Sequence, residues 1–203
     1  MTMYVPAHFR EENPERISAL IRDNAFGMLV TAPRGEPFVS HLPFLFESVP
    51  GTQGKLRGHM ARANPHWQHL TSDAEVLVVF QGPHAYVSPS WYASPGVPTW
   101  NYAVAHLRGK PRLIEDEYEL EALLERQTHV YEQHMPRPWK PDLAGERRTR
   151  LLGMIVGFEI EVTDIQAKFK LSQNRPAEDR THVIAELNCS TIQTEVAVAK
   201  LMS

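Results

Sequence analysis

The chain has 203 residues, 42% of them hydrophobic and 22% charged, with a formal net charge of -3 at pH 7. That balance belongs to a globular chain long enough to bury roughly 70% of its unfolded surface without a metal or disulfide staple. A single cysteine, Cys189, excludes a disulfide framework and every multi-cysteine metal pattern, and sets a reducing cytoplasm as the expected location.

No apolar run approaches the ~20 residues a membrane helix needs, and the opening MTMYVPAHFREENPER lacks the apolar core of a signal peptide. The acidic balance does not support a protein that coats nucleic acid by charge alone, so DNA is a possible partner without support from charge. In chain order, the first element is a helix at NPERISALIRDN, with Asn13 as cap, Pro14 at the first helical position, and Ile17, Leu20 and Ile21 on one face. FGMLVTA (26–32) and PFVSHLPFLF (37–46) are strands joined by the turn PRGE, where Gly35 suits positive φ, and Pro43 points to an edge or a bulge. KLRGHMA (55–61) and EVLVVFQG (75–82) follow as strands around a short helix opening at NPHW. A break at Gly82-Pro83 separates the latter from HAYVS (84–88), and YAVAHLRGKPRLI (102–114) follows a proline-rich loop.

Strands at this spacing, without regular strand–helix alternation, predict an α+β fold around a closed or partly closed antiparallel barrel. EDEYELEALLERQTHVYEQH (115–134) is a helix with Leu120, Leu123, Leu124, Val130 and Tyr131 as its inner stripe; MPRPWKPD (135–142) breaks it, and AGERRTRLLG is a second helix. In MIVGFEIEV (154–162), Ile160 and Val162 take one face, Glu159 and Glu161 the other. The apolar parity then reverses to Ile165, Ala167, Phe169 and Leu171, which predicts a bulge or bend near Thr163–Asp164. One or two helices close the chain after Pro176. The expected division is a domain over 1–188 and a tail over 189–203.

Three stretches carry candidate chemistry. In GHMARANPHW (58–67), free backbone N–H groups at the helix start and the Arg62 guanidinium suit a phosphate or carboxylate; a surface helix start with a solvated arginine is the alternative. YVSPSWYASPGVPTWNY (86–102) is a proline-stiffened aromatic loop able to hold a flat ring, or simply to cover a barrel end or a dimer contact. In KFKLSQNR (168–175), Lys168, Lys170 and Ser172 face one way on the pleat. Lysine on an edge strand guards against unwanted pairing, but the close-set Gln173, Asn174 and Arg175 suit an anion or the rim of a heteroaromatic ring. His66 and His69 share a helical face, yet a metal needs a third ligand that only His59 offers, so no metal is expected.

These clusters, in this order, resemble the PaiB-like family of FMN-binding negative transcriptional regulators. The residues carrying the resemblance are MYVPAHFR (3–10), HLPF (41–44), GHMARANP (58–65), VVFQGPHAYVSPSWY (78–92), VPTWNY (97–102) and KFKLSQNRP (168–176). The resemblance implies an FMN-binding split β-barrel with peripheral helices, working as a homodimer with flavin sites at the subunit interface. It implies that His59, Met60, Ala61, Arg62, Ala63 and Asn64 grip the phosphate and that His41, Leu42 and Pro43 flank the ring. Trp91, Trp100, Asn101, Lys170, Gln173 and Arg175 are expected to reach the same flavin. One departure stands out: family members carry a longer, lysine-containing bridge where this chain has only ASPG (93–96). Two other functions are compatible with the residues, an FMN-dependent oxidoreductase using NAD(P)H and a flavin-free interaction protein on the same barrel. His41, His59 and Tyr92 are the proton donors available to the first of these.

Overall fold

The computed structural model describes residues 3–140 and 144–203. Its strands are β1 (Arg10–Glu11), β2 (Phe26–Thr31), β3 (Phe38–Pro43), β4 (Leu45–Glu47), β5 (Lys55–Ala61), β6 (Val76–Val87), β7 (Thr99–Ile114) and β8 (Ile155–Lys170). The helices are α1 (Pro14–Asp23), α2 (Glu117–Glu132), α3 (Gly145–Gly153), α4 (Ala177–Asn188) and α5 (Gln193–Met202). Strand order is β3-β2-β6-β7-β8-β5-β4, with β1 added on β8. The β2–β3, β2–β6, β4–β5, β5–β8 and β1–β8 ladders are antiparallel, as the strand spacing predicts. The chain forms two compact units: the first from Met1–Asn24, Phe80–His106 and Gln166–Ser203, the second from Ala25–Val79 and Leu107–Ile165.

In the first unit α1 begins as its sequence dictates. Asn13 Oδ1 accepts from the backbone N–H groups of Glu15 and Arg16, and Ile17, Leu20 and Ile21 are buried. The break predicted at Gly82-Pro83 does not occur, and β6 runs through it. Proline removes one ladder donor but leaves extended backbone intact. Gly82 lets another chain segment come close: a Cβ there would lie 2.4 Å from Leu20 Cδ1. After Pro176 two helices form, burying Val183 and Leu187 of α4 and Val198, Ala199 and Met202 of α5.

In the second unit the β2–β3 turn places Arg34 (φ 58°) and Gly35 (φ 85°) in the left-handed region. Leu120 and Leu123 of α2 pack with Leu45, Ile114 and Leu152, and Leu124 and Val130 lie against that cluster. Each such leucine contributes about 2 kcal/mol by leaving water. Gly157 admits the stripe, since a Cβ there would meet Leu120 Cδ1 at 2.6 Å. Tyr131, assigned to the inner stripe, is part-exposed and donates its hydroxyl to the Phe44 carbonyl. α2 ends at Glu132; residues 141 and 142 of the predicted breaker lie outside the described residues.

Burial along β8 falls on Val156, Phe158, Ile160 and Val162, then on Ala167 and Phe169, so the phase reverses as the sequence indicates while the strand stays continuous. Two features of β8 depend on what surrounds it. Glu159 is buried at 5% exposure, whereas Glu161 is exposed; cations, not water, meet Glu159. β8 also lies inside the sheet, flanked by β7, β5 and β1, so its lysines are not edge guards. Strand order, which the local pattern does not encode, decides that point.

Candidate functional site

The residues expected to meet one ligand fall into both units. His41, Leu42, Pro43 and the run His59–Asn64 lie in the second; Trp91, Trp100, Asn101, Lys170, Gln173 and Arg175 lie in the first.

In the second unit β5 ends at Ala61 and a 3-10 helix opens at Pro65, capped by Asn64. Arg62 is exposed but anchored: its Nε donates to the Gly153 carbonyl (2.9 Å) and one terminal nitrogen to the Ile155 carbonyl (3.0 Å). Its backbone N–H also donates to the Met154 carbonyl (2.8 Å). The guanidinium is therefore aimed by its neighbours while its other terminal nitrogen keeps its protons for a ligand.

His59 has a definite tautomer. Gln127 Nε2 donates to the Pro43 carbonyl (3.3 Å), which leaves Gln127 Oε1 to accept from His59 Nδ1 (2.7 Å). Nε2 of His59 is then a bare acceptor. Burial pushes the His59 pKa down, and the hydrogen bond to Gln127 only partly opposes this, so the ring is neutral at pH 7. Gln127 is a positioning residue that sequence reasoning missed; its only signal is a buried amide on an otherwise leucine-lined stripe.

Below this segment runs a second chain of polar groups. Asn64 Oδ1 accepts the His66 backbone N–H (3.1 Å), so its Nδ2 donates to Ser40 Oγ (3.0 Å). Ser40 then donates to His66 Nδ1 (2.8 Å), His66 Nε2 donates to Thr31 Oγ1 (2.9 Å), and Thr31 donates to His69 Nδ1 (2.8 Å). With this sense each hydroxyl both gives and receives; the opposite sense strands the Ser40 proton. Burial, reinforced by the charge of His69, lowers the His66 pKa to about 4. The two histidines thus serve a hydrogen-bond network, and no group of three or more metal-ligating side chains occurs among the described residues. His41, farther along β3, is exposed and stacks on Phe26 at 6.3 Å. An open pocket of about 390 Å³ lies at the β2–β3 turn, lined by Pro33, Arg34, Glu36, Pro37, Phe38 and His69; none of the expected flavin residues lines it.

In the first unit the donors of KFKLSQNR are spent unevenly. Gln173 closes its own turn, with Oε1 accepting from the Leu171 N–H (2.7 Å) and Nε2 donating to the Phe169 carbonyl (2.5 Å). Asn101 is buried and donates to Ser172 Oγ (2.9 Å). Arg175 stacks on Tyr92 at 4.2 Å and donates to the Pro95 carbonyl (3.1 Å). Lys170 Nζ donates to Thr99 Oγ1 and to the Trp100 carbonyl, both at 2.5 Å. Burial lowers the Lys170 pKa, and the charge of Lys168 adds to that.

The short bridge ASPG is pinned by Asp179 of α4. Its Oδ1 accepts the Ala93 and Ser94 N–H groups (2.8 and 3.1 Å), and its Oδ2 accepts the Ser94 hydroxyl (2.6 Å). The Ser94 hydroxyl, the two amides and Arg175 together hold the Asp179 pKa down, outweighing burial. An acid in the first turn of a helix reads as an ordinary dipole partner, which hides this role in the sequence. Gly96 backs the Tyr92 ring, where a Cβ would come within 2.3 Å.

An antiparallel sheet of this order, with peripheral helices and a cationic strand-to-helix segment, defines the class of flavin-binding split barrels. The fold is similar to that of the flavocytochrome Anf3 from Azotobacter vinelandii, with a TM-score of 0.64, 14% identity, and coverage of 88% of this chain and 78% of that one. It is also similar to the FAD and heme binding protein from Mycobacterium smegmatis, with a TM-score of 0.63, 16% identity, and coverage of 85% and 78%. The family model described as "Putative FMN-binding domain" matches residues 3–164, and the chain belongs to that family. It is 41% identical over 202 residues to the protease synthase and sporulation protein PAI 2 of Bacillus subtilis (strain 168), covering 98% of this chain and 96% of that protein.

The residues present fit an FMN group. Arg62 keeps N–H donors suited to a phosphate, and the bare Nε2 of neutral His59 is an acceptor suited to a ring imide N–H. No described helix is long and apolar enough to cross a membrane.

Proposed function

We propose that the protein binds FMN and acts as a regulatory flavoprotein of the PaiB-like kind, with the Arg62–Asn64 segment taking the phosphate, His59 accepting from the ring imide and His41–Pro43 lying against the ring. The observation that carries this reading is the pairing of an aimed, partly unspent Arg62 with a neutral His59 whose tautomer is set by Gln127. FMN supplies one- and two-electron redox chemistry when bound; the chain supplies binding, orientation and the charge around the ring.

The same reading holds that the protein works as a homodimer in which a second subunit completes the flavin site. The β2–β3 register sets Phe26 opposite Pro43, Met28 opposite His41 and Val30 opposite Val39, and β6 continues that face with Leu77 and Val79. Phe26 is 68% and Val39 45% exposed, and an apolar sheet face of this kind favours a partner over water.

Titration with FMN, followed by visible absorbance, tests the reading. The wild type takes up flavin stoichiometrically. Arg62→Ala weakens uptake by about tenfold, a loss of ~1.4 kcal/mol, with folding checked by circular dichroism. A wild type that leaves FMN free in solution overturns the proposal. Mass measurement in solution reads the dimer, and Val39→Glu is expected to shift it to monomer.

A further inference from the structure

Lys168 and Lys170 place two ammonium groups near one another in the first unit, two residues apart on β8. Lys168 is only 8% exposed, in a strand with neighbours on both sides. Among the described residues neither lysine forms an ion pair with a carboxylate. The groups that contact them are neutral. Lys168 Nζ donates to the Tyr4 carbonyl (3.2 Å) and lies 5.3 Å from the rings of Tyr4 and Tyr102. Lys170 Nζ has the Thr99 hydroxyl and the Trp100 carbonyl, with the Phe9 ring at 5.8 Å.

Ring faces and carbonyls offset part of the desolvation cost of an ammonium, but they carry no net negative charge. Two ammonium groups have six N–H bonds, and three are used here. Across β1, the residue in register with Lys168 is Arg10, a further cation.

An aromatic surface lies beside this charge. Trp100 and Tyr102 are two residues apart on β7, as are His84 and Tyr86 on β6. The Trp100 ring lies 6.2 Å from that of His84 and 6.0 Å from that of Tyr86, so these side chains share one sheet face. Trp100 is 53% and Tyr86 41% exposed. Flat apolar area beside unneutralised N–H donors suits one chemical class of ligand.

We propose that Lys168 and Lys170, with the faces of Trp100 and Tyr102, bind a planar aromatic molecule bearing an oxyanion, the ring resting on the aromatic surface and the oxyanion taking the unspent ammonium protons. Lys170 and Trp100 are also expected at the flavin by resemblance, but the proposal uses neither Arg62 nor His59, on which the flavin reading rests.

Calorimetric titration of flavin-free protein with 2-naphthoate, 2-naphthyl phosphate, neutral 2-naphthamide and acetate tests it. At least one of the two aryl oxyanions binds about tenfold or more tightly than naphthamide, and which one does separates carboxylate from phosphate; acetate does not saturate. Lys168→Gln and Lys170→Gln each weaken that aryl oxyanion by about fivefold and leave naphthamide unchanged, whereas Lys168→Arg and Lys170→Arg stay within about threefold of wild type. Trp100→Ala weakens naphthamide and the oxyanion alike. Equal binding of the oxyanions and naphthamide, no binding by either oxyanion, or indifference to the glutamine variants overturns the proposal. FMN titrated into the same proteins reads the flavin proposal separately: protein that takes an aryl oxyanion and refuses FMN sinks that reading and leaves this one standing.

Discussion

Glu159 in the second unit and Lys168 in the first are both buried charges on the same strand, and they are treated in opposite ways. Lys55 Nζ reaches Glu159 at 2.9 Å, Arg57 at 2.6 Å and Arg112 at 3.5 Å. Burial is the largest single influence on the Glu159 pKa and pushes it up; the hydrogen bonds from Lys55 and Arg57 and the nearby guanidinium charges outweigh it and leave the pKa lowered. Lys168 has rings and a carbonyl but no counter-ion among the described residues. A charge enclosed by opposite charges is committed to holding the fold. One enclosed by neutral groups keeps its charge available to something that arrives later, and the fold bears the cost.

Removal of Glu159 sharpens the contrast most. Glu159→Ala leaves three cations facing one another around a buried gap, and the expected loss is about 3–5 kcal/mol in urea unfolding. A loss below about 1 kcal/mol would put the surrounding ion pairs on a par with surface pairs and remove one side of the comparison. Lys168→Met should go the other way: an apolar chain of similar length between Tyr4 and Tyr102 should be neutral or stabilising by about 1 kcal/mol. Marked destabilisation would make Lys168 a structural charge like Glu159 and break the contrast.

The smallest expected effect, confined to the bridge, concerns Asp179, which stands between the two as an anion held mainly by neutral donors, with Arg175 at 4.0 Å. Its folded pKa is depressed, so its contribution is complete above the unfolded carboxylate range near ~3.9 and fades as pH falls through the lower folded value. Hydrogen exchange at the Ala93 and Ser94 amides is the measurement. Protection should fall in Asp179→Asn at neutral pH and in the wild type only in acid, with little change in global stability. Amides equally protected in the variant would show that the bridge is held by something else.

Much of the architecture was legible in the sequence because its signals are local. Asn13-Pro14 starts α1, alternation marks β5, and the reversal of parity along β8 is present in the order of the residues. The errors share another cause. Gly82-Pro83 reads as a break because its composition is that of a turn, yet Leu20, more than sixty positions earlier, requires the glycine. Gln127 meets His59 from 68 residues away and Asp179 meets Ala93 from 86; each sits on a helix where its residue type has an ordinary local explanation. The lysines of β8 were visible as unusual, and what excludes the edge-guard alternative is strand order, a property of the whole sheet. Of the expected flavin contacts, the sequence marked Arg62 as a cation next to a helix start, while the commitment of Gln173 to its own turn depends on side-chain geometry.

The line of groups from Asn64 to His69 has a consequence of its own. Because the Asn64 amide is oriented by its role as a cap, every proton along the line points toward His69, and none can turn without its neighbours turning too. A residue without a hydroxyl at Ser40 or Thr31 would part the line at one joint and leave the buried histidine nitrogen beside it without a partner.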